Sequence, residues 1–166
     1  MIARAGMTAA EALAKDAPLK GVSRAAYDRF EDALTIDFDR GPRHGKPRAF
    51  NAVTRSGLGC FGISPRRLVD IGVLEEVFVS RGKAIANPRD KRVVLFLADP
   101  ILQREALVLS LKKYDAQLAS TILPAGMTRS GALALHHRLG PDALAKWAKY
   151  QAPSTIALFR RTNGLF

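Results

Sequence analysis

The chain has 166 residues, 48% of them hydrophobic and 25% charged. That profile is expected of one globular domain over 1–166, all-α in class, burying roughly two thirds of its unfolded surface without staples. The single cysteine, Cys60, excludes an internal disulfide and a thiolate zinc site, and it reads as a small buried hydrophobe. No stretch reaches the roughly 18 apolar residues of a membrane span, and 1–20 lack the apolar core of a secretory signal. Twenty-six Lys and Arg against 15 Asp and Glu leave a net charge of +11. Such an imbalance points to polyanionic partners: nucleic acid, an anionic cell wall or an acidic neighbouring subunit.

In chain order, a short helix is predicted at 7–17, opened by Thr8 with Glu11 three residues on and stopped by Pro18. With its flanks it makes 1–20 a peripheral N-terminal helix. A second helix opens at Ser23, and Ala26, Tyr27, Phe30, Leu34 and Phe38 mark its buried face. The segment RGPRHGKPR at 40–48 is a cationic loop with two Gly and two Pro. Its Arg43, Lys46 and Arg48 are candidates for polyanion contact, the alternative being a solvated surface loop. Glycines at 57, 59 and 62 predict a tight turn, and Ser64-Pro65 starts a helix over 65–71 that ends at Gly72. At most a short strand or hairpin is expected at 73–85, followed by a helical turn or two at 90–98.

Asp99-Pro100 opens a long helix over 100–118. Its apolar residues wind round most of the circumference, which predicts a central, buried helix. Thr128 caps a helix that stops at Gly140. Pro141 starts another through 150 with Leu144 and Trp147 inward, and Pro153 starts the last, ending near Asn163-Gly164. Short helices separated by Pro and Gly, with no fixed repeat, make an irregular multi-helix globule.

Few residues offer chemistry. His136 and His137 are adjacent, so on a helix they point about 100° apart and cannot chelate one ion; with His44 remote, no metal site is expected. No cofactor motif appears. Carboxylates are more suggestive: Glu31, Asp32, Asp37 and Asp39 cluster at the end of the second helix and the start of its loop. Glycoside cleavage requires a carboxylic acid that protonates the leaving oxygen, whereas ordinary surface acids would simply balance the nearby cations. The pairs Arg66-Arg67 and Arg160-Arg161 add positive charge. Exposed aromatics at strand spacing are missing, so a stacking platform for single-stranded nucleic acid is unsupported.

Four segments then follow in order: SGLGCFGISPRRLVDIG, FLADPILQREAL, AGMTRSGALALHHRLGPDALAKWAK and ALFRRTNGLF. The first pairs an aromatic glycine turn with Leu68, Asp70 and Gly72. The second carries Phe96, Leu97, Pro100, Gln103 and Ala106, and the third His137, Gly140 and Trp147. This succession, over 57–166, resembles the lysozyme-like, transglycosylase-type domains of phage cell-wall hydrolases and virion proteins.

The resemblance implies a lysozyme-like fold and a muramidase or lytic-transglycosylase activity on bacterial peptidoglycan. Phe61, His137 and Trp147 would line the glycan, the alternative for each being core packing. The family places a catalytic Glu at the end of the helix before the glycine turn. Here that helix end reads TIDFDRG, leaving Asp37 or Asp39 as the general acid and 40–48 as an insertion at the cleft. A second expectation from the same resemblance is a non-catalytic component of a phage tail tip or baseplate, bound to other virion proteins. A third, from charge alone, is a nucleic-acid-binding helical domain. The resemblance places the chain in a phage virion, or in the bacterial cytoplasm before assembly or release.

Overall fold

A computed structural model describes residues 18–35, 53, 57–74, 79–80, 83–84, 89–149 and 151–166. The helix expected at 7–17 and the cationic loop at 40–48 lie outside them. Among the described residues are seven helices and one antiparallel hairpin, so the molecule is mainly helical. The chain divides into two compact units. Described residues of the first lie within Thr35–Leu109, and those of the second are 18–34, 110–149 and 151–166.

The second unit begins with α1 (Arg24–Leu34), where Ser23 Oγ accepts from the Ala26 amide at 3.2 Å. Its inner face carries Ala26, Tyr27, Phe30, Glu31 and Leu34.

In the first unit, Leu58 and Ile63 exchange backbone bonds of 2.9 and 3.0 Å across the glycine turn. A Cβ on Gly57 would run into the Gly62 backbone, and one on Gly59, where φ is +72°, into the Gln103 side-chain amide. Both glycines are therefore required by space. Ser64 then caps α2 (Pro65–Asp70) by accepting from the Arg67 amide at 3.3 Å. Two short strands, β1 (Val79–Ser80) and β2 (Lys83–Ala84), pair Val79 with Ala84 and Ser80 with Lys83. This hairpin lies in the segment where at most one was expected.

Helix α3 (Lys91–Ala98) is capped by Asp90, which accepts from the Arg92 amide at 2.9 Å. The Arg92 guanidinium also holds both Asp90 oxygens. These bonds, the guanidinium's first and the backbone's second, hold the Asp90 pKa at about 2.

Asp99 alone separates α3 from α4 (Pro100–Leu118). Its Oδ1 accepts from the Ile101 and Leu102 amides, both at 3.0 Å, and so starts the new helix. The long helix is not apolar-buried all round as its composition predicts. Gln103, Ala106, Leu107, Ser110, Leu111, Tyr114 and Leu118 form one buried stripe at helical spacing. Ile101 and Leu109 face outward, 42% and 45% exposed.

Within the second unit the core helix is α5 (Arg129–Leu139), buried at every position from Ser130 to His137. Thr128 caps it and Gly140, at φ +87°, ends it. The following α6 (Ala143–Lys149) starts two residues beyond Pro141, because Gly140 to Asp142 turn first and the Ala143 amide donates to the Gly140 carbonyl. Both α6 and α7 (Pro153–Thr162) pack on α5, and α1 packs on α7.

Candidate functional site

The predicted acids Asp37 and Asp39, and the predicted anion contacts Arg43, Lys46 and Arg48, lie outside the described residues. Of the aromatic and imidazole candidates, Phe61 belongs to the first unit, and His137 and Trp147 to the second. Phe61 is 1% exposed, inside the core around the glycine turn. His137 is also buried, whereas Trp147 keeps part of its surface. Trp147 packs against Phe159 with ring centroids 4.9 Å apart at 36°. The neighbouring His136 stacks on Tyr114 at 5.0 Å.

The helix leading toward the predicted acids carries one more carboxylate of interest. Glu31 is 5% exposed, the one acidic side chain buried among the described residues, while Asp32 beside it faces water. Helical period separates them, since position 31 follows Tyr27 by four residues on the inner face. A carboxylate is seldom taken from water without a role, because its desolvation is costly.

The four segments that carry the resemblance are joined in pairs by side-chain amides. In the first unit, Gln103 is 1% exposed. Its Oε1 accepts from the Cys60 amide at 3.1 Å, and its Nε2 donates to the Phe96 and Leu97 carbonyls at 3.0 and 3.3 Å. One side chain thus fixes the glycine turn to the end of α3. This explains why a polar residue stands on the buried stripe of α4: a buried N–H left without a partner is costly, and Gln supplies an acceptor and a donor at once.

In the second unit Asn163 does the same work. Its Oδ1 accepts from the Thr128 amide and hydroxyl at 2.7 and 3.0 Å, and its Nδ2 donates to the Gly126 carbonyl at 2.9 Å. The Gly164 amide donates back to Thr128 Oγ1 at 2.8 Å, and the Leu165 amide to Ser130 Oγ at 3.2 Å. The N-terminus of α5 and the residues after α7 are therefore one network. Sequence pattern gave Asn163 only as a helix stop.

Beside it, Arg129 and Asp115 form a two-pronged ion pair, 2.6 Å on each prong. Arg129 also donates to the Lys20 carbonyl at 2.9 Å and lies over the Phe166 ring. The bonds it donates to Asp115 raise the pKa of Arg129 above its usual value, against the opposing effect of burial. Phe166 in turn meets Phe30 edge-on at 5.1 Å.

Positive charge is distributed less evenly than the sequence suggests. Arg67 is buried, so of the Arg66-Arg67 pair only Arg66 faces solvent, and it is paired with Asp70 at 3.0 Å. Arg160 and Arg161 are both exposed, Arg161 donating to the Ala33 carbonyl at 3.3 Å.

Among the described residues no cluster of three His, Cys, Asp or Glu is placed to hold a metal ion, and no helix is long and apolar enough to cross a membrane. No protein-family model, curated protein or solved structure matches the chain.

Proposed function

We propose that the chain is a phage-type peptidoglycan-degrading protein, virion-associated, acting on the glycan strand as a muramidase or lytic transglycosylase does. The observation that carries this reading is the pairing of the segments behind the resemblance. Gln103 ties the first to the second, and Asn163 ties the third to the fourth.

In the proposed reaction a carboxylic acid protonates the glycosidic oxygen as its bond to the anomeric carbon breaks. The positive charge spreads onto the ring oxygen as an oxocarbenium-like state. In hydrolysis, water then adds to that carbon and gives up a proton. Asp37 or Asp39 is proposed as the acid, and Glu31, on the helix that precedes them, joins them as a third candidate. Trp147, which keeps part of its surface, is the proposed glycan contact, whereas Phe61 and His137 are buried and take the core-packing alternative. The net charge of +11 favours approach to an anionic cell wall, with Arg43, Lys46 and Arg48 as contacts.

A second reading is favoured by one feature, the absence of a Glu in TIDFDRG. On that reading the chain is a non-catalytic component of a tail tip or baseplate, held by other virion proteins. Binding to nucleic acid rests on charge alone.

A peptidoglycan zymogram of the wild type and of Asp37→Asn, Asp39→Asn and Glu31→Gln tests the proposal. Clearing by the wild type, lost in one acid variant, supports it. No clearing, with co-purification in a particle, supports the structural reading. Tight DNA binding that falls steeply with salt supports the third.

A further inference from the structure

Helix α3 is apolar on both sides. Val93 and Phe96 are buried, as the inner face of a surface helix should be. Lys91, Val94, Leu95 and Ala98 recur at i, i+3, i+4 and i+7 on the other side, and all four are exposed. That side of a surface helix is normally polar. Here, past Lys91, it holds only aliphatic groups, with Val94 49% and Leu95 57% exposed. Pro100 and Ile101, just past the junction at Asp99, are exposed as well. Three of the six exposed large hydrophobic side chains among the described residues thus lie between 94 and 101. Such grouping sets them apart from single exposed side chains, which are ordinary.

Charge is placed at one end of this face. Arg89, Lys91 and Arg92 are exposed around the N-terminus of α3. The one acid among them, Asp90, is held by the Arg92 guanidinium. Cations therefore stand next to aliphatic side chains, with no aromatic exposed between 89 and 101.

We propose that the outer face of α3 docks on an anionic lipid surface, with the cations at the headgroup phosphates and Val94 and Leu95 at the acyl boundary. Two features favour lipid over a protein partner. Three large side chains fall well short of the ~800 Å² per partner that a stable protein interface buries. Protein interfaces also gain most from aromatic and Arg anchors seated in pockets. Burial in lipid is non-directional, and aliphatic groups suffice for it. Cations near an anionic leaflet add to the attraction. The helix pairs its own backbone groups, so its face enters the boundary without an open amide. Its eight residues, about 12 Å long, lie along the surface and are too short to cross it. The proposal stands apart from the glycan reading and does not depend on it.

Full-length protein is sedimented with vesicles of phosphatidylcholine mixed with phosphatidylglycerol, and with vesicles of phosphatidylcholine alone. Binding to the mixed vesicles is expected, and binding about tenfold weaker or less to the neutral ones. Lys91→Gln should weaken binding about fivefold. Leu95→Gln, at a site outside the core, should weaken it by about five- to tenfold. Leu95→Trp should keep the affinity and add emission that shifts to the blue on the mixed vesicles.

No binding to either vesicle overturns the proposal. So does binding that Lys91→Gln weakens and Leu95→Gln leaves unchanged, since net charge alone would then explain it. Dimers that Leu95→Gln dissociates, in a protein that ignores both vesicles, would overturn it too and give the face to a second copy of the chain.

Discussion

Replacing Gln103 by Met keeps nearly the same volume and removes every polar contact of the side chain. The Cys60 amide, in a residue with 0% exposure, loses its 3.1 Å bond to Oε1. A buried N–H deprived of its acceptor costs about 1–3 kcal/mol. The Phe96 and Leu97 carbonyls lose the donor at 3.0 and 3.3 Å. Because a carbonyl tolerates the loss of one donor better, this adds only about 0.5–1.5 kcal/mol. The sum is about 2–4 kcal/mol, which for a chain of this size lowers Tm by about 4–16 °C. Circular dichroism during thermal and urea unfolding measures it. Gln103→Glu should be worse than Gln103→Met, since it keeps an acceptor but buries a charge and loses both donors. A loss below about 1 kcal/mol in Gln103→Met would show that Gln103 does not hold the glycine turn.

Gly131→Ala should destabilise by about 1–3 kcal/mol despite the better helix propensity of alanine, because its Cβ has no room beside Phe159 and Asn163; an increase in Tm would refute that crowding. Asn163→Ala removes three hydrogen bonds at the α5 N-terminus and should cost about 2–3 kcal/mol in urea unfolding. Arg129→Met breaks the pair with Asp115 and the bond to the Lys20 carbonyl. About 1–2 kcal/mol is expected, and no more, because both charged groups keep some contact with water. The carboxyl of Asp90 should titrate near 2 by NMR, against 3.8 for the ordinary group. Its folded pKa lies below the unfolded one, so its contribution to stability is complete above pH 4 or so and fades as pH falls toward 2. A midpoint near 4 would contradict the bidentate contact with Arg92.

Helix ends were legible because their causes are local. Ser64, Asp99 and Thr128 accept from amides two or three residues ahead, and Gly140 ends its helix at positive φ. What failed was the assignment of the central helix. The apolar content of α4 looked sufficient for full burial, but composition does not say which side of a helix has neighbours. Conversely α5 is buried all round with only small side chains at Gly131, Ala132 and Ala134, which contribute little to an apolar pattern. Gln103 and Asn163 were legible as motif and stop residues, but their long-range bonds, to Cys60 and to Thr128, have no local signature. Of the candidate site, Trp147 was legible by its residue type, whereas its contact with Phe159, between helices, has no local signature. The burial of Glu31 is legible in the helical period, since it shares the register of Tyr27 and Leu34.

The proposed cleavage of the glycan strand, by a carboxylic acid on or just after α1, is best tested by the zymogram on purified peptidoglycan. A clear zone is expected for the wild type and its loss in Asp37→Asn, Asp39→Asn or Glu31→Gln, with the folded signal by circular dichroism retained. A wild type that leaves the peptidoglycan intact, or clearing that survives all three substitutions, would contradict it.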